Sequence, residues 1–310
     1  MNKPHIGFIG IGVMGDPMAR HLADAEYCLT IFDKNRTKAE KVGETYEHVK
    51  VADTPRDVAE KSDLVITMLP SGKIVREVTL GEAGLIEGFR AGSLLLDTSS
   101  SEPWLTIETY TALKEKGVGM VDAPVSGARA GAESAELIFM TGGNKDEVSR
   151  VKPVLHIMGK EIFHLGPLGA GHAMKSINNL ITAMTLMAST EGLIIGKKYG
   201  LDPNVMTDVL NVSTGMSWIS KTHIKQRITS RKFDDPFKLG LMVKDINIAM
   251  ELADRMGILI PLSSSGRDLW EKAVQLAGRD SSISEVVRWV EHNTNTEITS
   301  DFKGLSNLFP

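Results

Sequence analysis

Residues 171–179 read GHAMKSINN and set Lys175, Asn178 and Asn179 at i, i+3 and i+4, one face of a helix. A lysine beside two amides can move a proton. Oxidising an alcohol removes a hydride from carbon and a proton from the hydroxyl, and reduction reverses both. A lysine can be that general acid/base once burial or a nearby cation brings its pKa toward the working pH. Asn179, one turn on, can hold the ammonium or a substrate oxygen without titrating. On a helical wheel, Met174, Ile177, Leu180, Ile181, Met184, Met187, Ala188 and Ile195 gather on one side, which is expected to face a core. Lys175, Asn178, Asn179, Thr182, Thr185 and Ser189 lie opposite. Apart from Lys175 that stripe has no charge until the far end of the helix, whereas solvent-facing stripes commonly carry Glu and Lys pairs. The wheel leaves two readings open, the lining of a polar cleft or a face in solvent.

Hydride chemistry needs a carrier, and the first strand runs straight into GIGVMG. Gly10, Gly12 and Gly15 match G-x-G-x-x-G. The first glycine permits the tight turn, the second lets a pyrophosphate approach the backbone, and the third lets helix and strand pack closely. A helix beginning near Val13 would offer free N–H groups to the phosphates. The second strand ends in Asp33, near the spacing expected of a carboxylate that grips a ribose diol. That acid favours NAD. Lys34 and Arg36 follow it and can hold a 2′-phosphate, so NADP stays possible.

These pieces need a scaffold. Over residues 1–165 the β-rich runs HIGFIG, CLTIFD, DLVITML, SLLLD, GMVDAPV, ELIFMTG and EIFHL alternate with helix-compatible stretches at 13–25, 72–80, 104–116 and 145–157. Such alternation predicts a parallel sheet with helices on both faces. Ligands then bind beyond the carboxyl ends of the strands. Leu69 and Pro70 can wall a cofactor there, Thr98 can donate to it, and Ser126 with Gly127 can bind a substrate carboxylate. No helix start is evident directly after Gly127, and Ser99 to Ser101 read as a cap for the following helix. From Gly-Pro-Leu-Gly at 166–169 the texture turns helical, with segments at 170–199, 203–213, 217–230, 238–257, 261–277 and 282–292. The organisation expected is a dinucleotide-binding domain over 1–165, an all-helical domain over 166–295 and a loosely held tail over 296–310.

Composition bounds the rest. The chain has 310 residues, 42% hydrophobic and 24% charged, with a net charge of −4 that argues against nucleic-acid binding by bulk positive charge. A single cysteine, Cys28, excludes an intrachain disulfide and suits a reducing compartment. No cleavage pattern follows MNKPHIGFIG and no uninterrupted apolar run of about 20 residues appears, so neither a leader nor a membrane span is expected, and the cytoplasm is the default location. The eight histidines show no HExxH or comparable spacing, so no metal site is expected.

Four ordered motifs carry a family likeness. GFIGIGVMGDPMARHL, DAPVSGARAGAESAEL, GAGHAMKSINN and FKLGLMVKDINIA make the chain resemble the β-hydroxyacid dehydrogenases, the group containing 3-hydroxyisobutyrate dehydrogenase and tartronate semialdehyde reductase, over about residues 4–295. The resemblance implies a Rossmann-like α/β domain joined to an all-α domain by a long interdomain helix. It implies Lys175 as general acid/base with Asn179 as its partner, and Ser126 and Gly127 on the substrate carboxylate. Lys244 would sit near nicotinamide and substrate, whereas the residues alone read it as a surface lysine beside Asp245. Met14, Asp33, Lys34, Leu69, Pro70 and Thr98 would line the cofactor. Dimers or tetramers through the helical domains are also implied. The chain departs from the pattern at Ala128, where Gly is common after Ser-Gly, and at Ala135-Glu136, where Gly-Thr is frequent. Arg129 can recognise a second anionic group or stand as a solvated loop residue. The expected function is NAD-dependent hydride transfer to or from a small 3-hydroxy acid resembling 3-hydroxyisobutyrate. The alternatives are an NADPH-preferring semialdehyde reductase and a catalytically silent cofactor-binding protein.

Overall fold

The computed structural model describes residues 3–300. Its chain contacts divide into two units, one up to Lys175 and one from Ser176. The division falls inside the helix Ala170–Tyr199, beyond the Gly-Pro-Leu-Gly stretch. The first helical turn belongs with the sheet because backbone N–H groups of Gly169 and His172 donate to the Asp122 carboxylate.

The first unit holds strands β1 (Ile6–Ile9), β2 (Leu29–Phe32), β3 (Val49–Val51), β4 (Leu64–Thr67), β5 (Leu94–Asp97), β6 (Gly119–Asp122), β7 (Val125–Ser126), β8 (Leu137–Gly142) and β9 (Gly159–Gly166). They form one sheet in the order β3-β2-β1-β4-β5-β6-β8-β7, with β9 on β8. IGFI, LVIT and LLLD are buried along their whole length, as near-continuous apolar runs should be when helices cover both faces. Alternate side chains feed two cores. Phe8, Ile66 and Leu96 enter one, and Ile9, Val65 and Leu95 the other. The strand order reverses at β1, which opens a crevice at its carboxyl end.

The sheet is parallel, as expected, except at one edge. β8 runs antiparallel to both β6 and β7. GMVDAPV breaks at Ala123-Pro124 into β6 and β7, and the link from Ser126 to Leu137 is shorter than the dozen or so residues a parallel crossover needs. A short helix, Ala128–Glu133, does begin directly after Gly127, contrary to the reading of the sequence.

The second unit continues the long helix and adds Pro203–Asn211, Trp218–Thr222, Leu239–Arg255, Pro261–Ala277 and Val286–Thr294. The helix expected over 217–230 is interrupted at His223 and continues as a π-helical turn, Ile224–Thr229, where the His223 ring turns to Asp235 at 2.9 Å. Ala183, Leu186, Leu239, Ile246, Trp270 and Val286 form the centre of this unit's core.

The wheel of the long helix is corrected. By length and composition this helix is apolar enough to cross a membrane. The buried face carries Ser176, Asn179, Ala183, Leu186, Met187, Thr190, Leu193 and Ile194. Ile181 and Ile195, assigned to the core from the sequence, are 59% and 70% exposed. Apolar residues occupy most sides of this helix, so periodicity could not rank its faces. A polar residue joins the core when a buried partner exists, and Asn179 has one. The tail reading also changes over 296–300. Ile298 is fully buried, its N–H donates to Glu291, and Lys197 Nζ donates to the Thr299 carbonyl. The remainder of the expected tail, 301–310, lies outside the described residues.

Candidate active site

In the first unit the glycine loop has the shape a pyrophosphate requires. Gly10 has φ +100°, and a Cβ there would lie 2.3 Å from the Met68 carbonyl oxygen. A Cβ on Gly15 would strike the Gly10 carbonyl oxygen at 1.8 Å, so only glycine lets the helix Gly15–Asp24 start this close to the strand. A Cβ on Gly12 would meet nothing within 4 Å. The middle of the loop is open space bordered by backbone, with Val13 exposed beside it and Met14 half-buried against the core. The residues present therefore fit a dinucleotide. Asp33, at the end of β2, accepts from the Ile11 N–H and the Asn35 N–H, each at 2.7 Å. The acid is thus fixed to the glycine loop and the chain after it. Lys34 is exposed, and Arg36 is engaged by Glu40 at 2.8 Å and by Asp53.

Leu69 and Pro70 follow β4, half-buried and exposed respectively. Thr98 follows β5 but does not offer its hydroxyl to a ligand. It is 1% exposed and donates to the Thr67 carbonyl at 2.7 Å, tying the ends of β4 and β5 together. Nor do Ser99 and Ser101 cap the helix Pro103–Glu115, whose N-cap Glu102 makes no side-chain capping bond. Ser99 Oγ accepts from the Leu69 N–H, and Ser101 Oγ donates to Asp97. Ser126 is half-buried on β7 and Gly127 is exposed with φ +128°. Arg129 pairs with Glu133 at 2.7 Å on the following helix and stays more than half exposed. Lys175 is half-buried at the end of this unit, one turn beyond His172.

In the second unit Asn179 is 5% exposed and its Nδ2 donates to Asp245 Oδ2 at 2.6 Å. Asn178 Nδ2 donates to Asn179 Oδ1 at 3.1 Å, which fixes the orientation of the second amide. Lys244 Nζ lies 3.0 Å from Asp245 Oδ1, with its side chain only 20% exposed. Asp245 is itself buried. The surface Lys–Asp pair read from the sequence is instead an inward-facing pair that also holds Asn179. Sequence reasoning passed over Asp245. Its signal was an acid inside an otherwise apolar run, LGLMVKDINIAM.

Two family models match the chain. The NAD binding domain of 6-phosphogluconate dehydrogenase matches residues 5–166, and the NAD-binding domain of NADP-dependent 3-hydroxyisobutyrate dehydrogenase matches residues 169–290. Among curated relatives, 2-(hydroxymethyl)glutarate dehydrogenase of Eubacterium barkeri is 31% identical over 95% of this chain and 97% of its own length. NAD-dependent L-serine dehydrogenase of Pseudomonas aeruginosa is 32% identical over 90% and 95% respectively. Human mitochondrial 3-hydroxyisobutyrate dehydrogenase is 34% identical over 87% of this chain and 81% of its own. The solved structure of Mycobacterium tuberculosis 3-hydroxyisobutyrate dehydrogenase with L-serine superposes with a TM-score of 0.85 at 30% identity, covering 93% of this chain and 99% of that one.

Proposed function

The chain belongs to the β-hydroxyacid dehydrogenase family and is an NAD(P)-dependent hydroxyacid dehydrogenase, and on that premise we propose that it moves a hydride between NAD and a 3-hydroxyisobutyrate-like 3-hydroxy acid, with Lys175 as general acid/base. The nicotinamide, when bound, accepts or returns the hydride. Lys175, as the neutral amine, takes the hydroxyl proton in oxidation and returns it in reduction. The Ser126 hydroxyl and the Gly127 N–H receive the substrate carboxylate. Asn179 orients the reacting oxygen, and Lys244 adds positive charge that Asp245 holds in place.

The observation that carries this reading is the buried Asn179–Asp245 contact, with the half-buried Lys244 paired to the same acid, Asn179 standing one turn after Lys175 along its helix. Burying polar groups is costly unless they are hydrogen-bonded or paired, and here the amide and the ammonium both meet the Asp245 carboxylate, which holds them in fixed positions. Preference for NAD rests on Asp33, which is fixed at the strand end where a 2′-phosphate would meet its charge, and on the engagement of Arg36 by two acids. We also propose a homodimer or homotetramer in the cytoplasm. The oligomer is supported by large apolar side chains exposed on the helical unit, among them Val212 at 87%, Leu259 at 94% and Leu262 at 77%.

A panel of 3-hydroxy acids, assayed by NAD(P)H absorbance, tests the proposal. The expected result is turnover of a 3-hydroxy acid with kcat/KM at least about tenfold higher for NAD than for NADP. Lys175→Ala should fold, bind NADH and lose about 10²–10⁴-fold in kcat. Near-wild-type turnover in that variant overturns the acid/base assignment. NADH binding with no hydride transfer across the panel would point instead to a silent cofactor-binding protein.

A further inference from the structure

Beyond the residues assigned above, the first unit buries two carboxylates and an imidazole at one point. Asp97, at the end of β5, is fully buried and accepts from Thr67 Oγ1 at 2.9 Å, Ser99 N–H at 3.0 Å and Ser101 Oγ at 2.8 Å. Asp122, at the end of β6, is fully buried and accepts from Gly169 N–H at 2.7 Å and His172 N–H at 2.8 Å. The His172 ring lies between them. Its Nε2 is 3.5 Å from Asp97 Oδ2, and its Nδ1 is 3.8 Å from Asp122 Oδ2 and 2.8 Å from Thr106 Oγ1.

We propose that His172 is a positioning residue for Lys175, fastening the first turn of the long helix to Thr106 at the start of the helix that follows the loop after β5. The inference rests on the acid/base role proposed for Lys175. The helix terminus is satisfied without the imidazole, because Asp122 takes the Gly169 and His172 N–H groups and the Pro167 carbonyl takes that of Ala170. The imidazole is therefore not needed for capping. What it adds is a second tie, the buried hydrogen bond between its Nδ1 and Thr106 Oγ1 at 2.8 Å, while its Nε2 stands 3.5 Å from Asp97 without a hydrogen bond. Thr106 lies in the first turn of the helix that follows the β5 loop, and that loop is fastened in turn, by Asp97 to the Ser99 N–H and by Ser99 Oγ to the Leu69 N–H.

Lys175 follows His172 by three residues and so rides the same side of the helix. Asp122 holds the backbone of this turn and the Thr106 bond holds the side of it that His172 occupies, so together they resist rotation about the helix axis. A rotation of about 10° carries a lysine ammonium roughly 1 Å, a displacement that can cost about 10²-fold in rate.

The test measures kcat, KM for NAD and for the best hydroxy acid of the panel, and the dissociation constant of NADH, in His172→Ala, His172→Gln, Thr106→Val and Lys175→Ala. Hydrogen exchange over residues 168–178 supplies a readout independent of turnover. His172→Ala should lose about 10- to 100-fold in kcat with NADH affinity changed less than about twofold, and its exchange over this segment should accelerate. His172→Gln, with an amide long enough to reach the same partners, should recover most of the rate. A folded His172→Ala with kcat within about twofold of the parent overturns the inference, as does a fall in NADH affinity that accounts for the loss. If His172→Ala does not fold, Thr106→Val decides, with a severalfold fall in kcat expected and an unchanged kcat overturning the inference. Turnover by Lys175→Ala would mean that the acid/base reading has failed. An inactive Lys175→Ala beside a fully active His172→Ala would mean that only the positioning role has failed.

Discussion

Asp122 in the sheet unit and Asp245 in the helical unit are both almost wholly out of water, yet they hold different things. Asp122 accepts from two backbone N–H groups, those of Gly169 and His172. Asp245 accepts from the side-chain amide of Asn179 and pairs with the ammonium of Lys244. A backbone partner cannot swing away without moving the chain. A side-chain partner can, and a carboxylate is one way to stop it. The first arrangement therefore fixes architecture and the second fixes the aim of particular groups. Losing the first should register in stability, and losing the second in rate.

The largest effect that would test this contrast is expected at Asp122. Asp122→Ala strands two N–H groups at a buried helix terminus and should lower the unfolding free energy by about 3 kcal/mol or more, read from urea denaturation. A loss under about 1 kcal/mol would remove the contrast altogether.

Next comes Asp245→Asn, which keeps the shape but removes the charge beside Lys244. It should lower kcat/KM by about 10- to 100-fold, roughly 1.4–2.7 kcal/mol of barrier, while the urea midpoint moves little. A large stability loss with intact kcat/KM would place Asp245 with Asp122.

The smallest effect concerns strain confined to one loop. Ala128 and Ala135 sit at φ +50° and +55°, left-handed positions that glycine adopts freely and alanine only at a cost. They are also two positions at which the resemblance drawn from the sequence implies glycine. Ala135→Gly should raise the unfolding free energy by up to about 1 kcal/mol. A drop would show that its methyl contributes packing that outweighs the backbone cost.

Much of this was legible in the chain. The glycine loop was legible from its spacing, since the Gly15 contact with the Gly10 carbonyl lies within six residues, although the Met68 carbonyl that crowds Gly10 comes from the end of β4. Helix ends were readable where Pro or a capping residue marks them, as at Asp202-Pro203 and Ile260-Pro261. The long helix defeated the wheel because apolar residues cover most of its circumference, so only its packing partners could decide which side was buried. Asn179 is in the core because Asp245 lies 66 residues away in sequence and next to it in space. Thr98 was read as a donor to a ligand for the same reason in reverse, since the acceptor that takes its hydroxyl, the Thr67 carbonyl, is invisible along the chain. The antiparallel edge followed from a short link whose length was visible but whose helix at 128–133 was not expected.

The Asp122 contact also sets an order of events during synthesis. Its amide partners emerge 47 and 50 residues later, so at about 5–20 residues per second the carboxylate waits some seconds for them. Until then the ribosome presents a sheet with an acid at its strand end and nothing to receive it. The strands can pair during that interval, but Asp122 gains these two backbone donors only when the turn bearing His172 arrives. A segment that the motif pattern assigns to the second half of the chain thus completes the first.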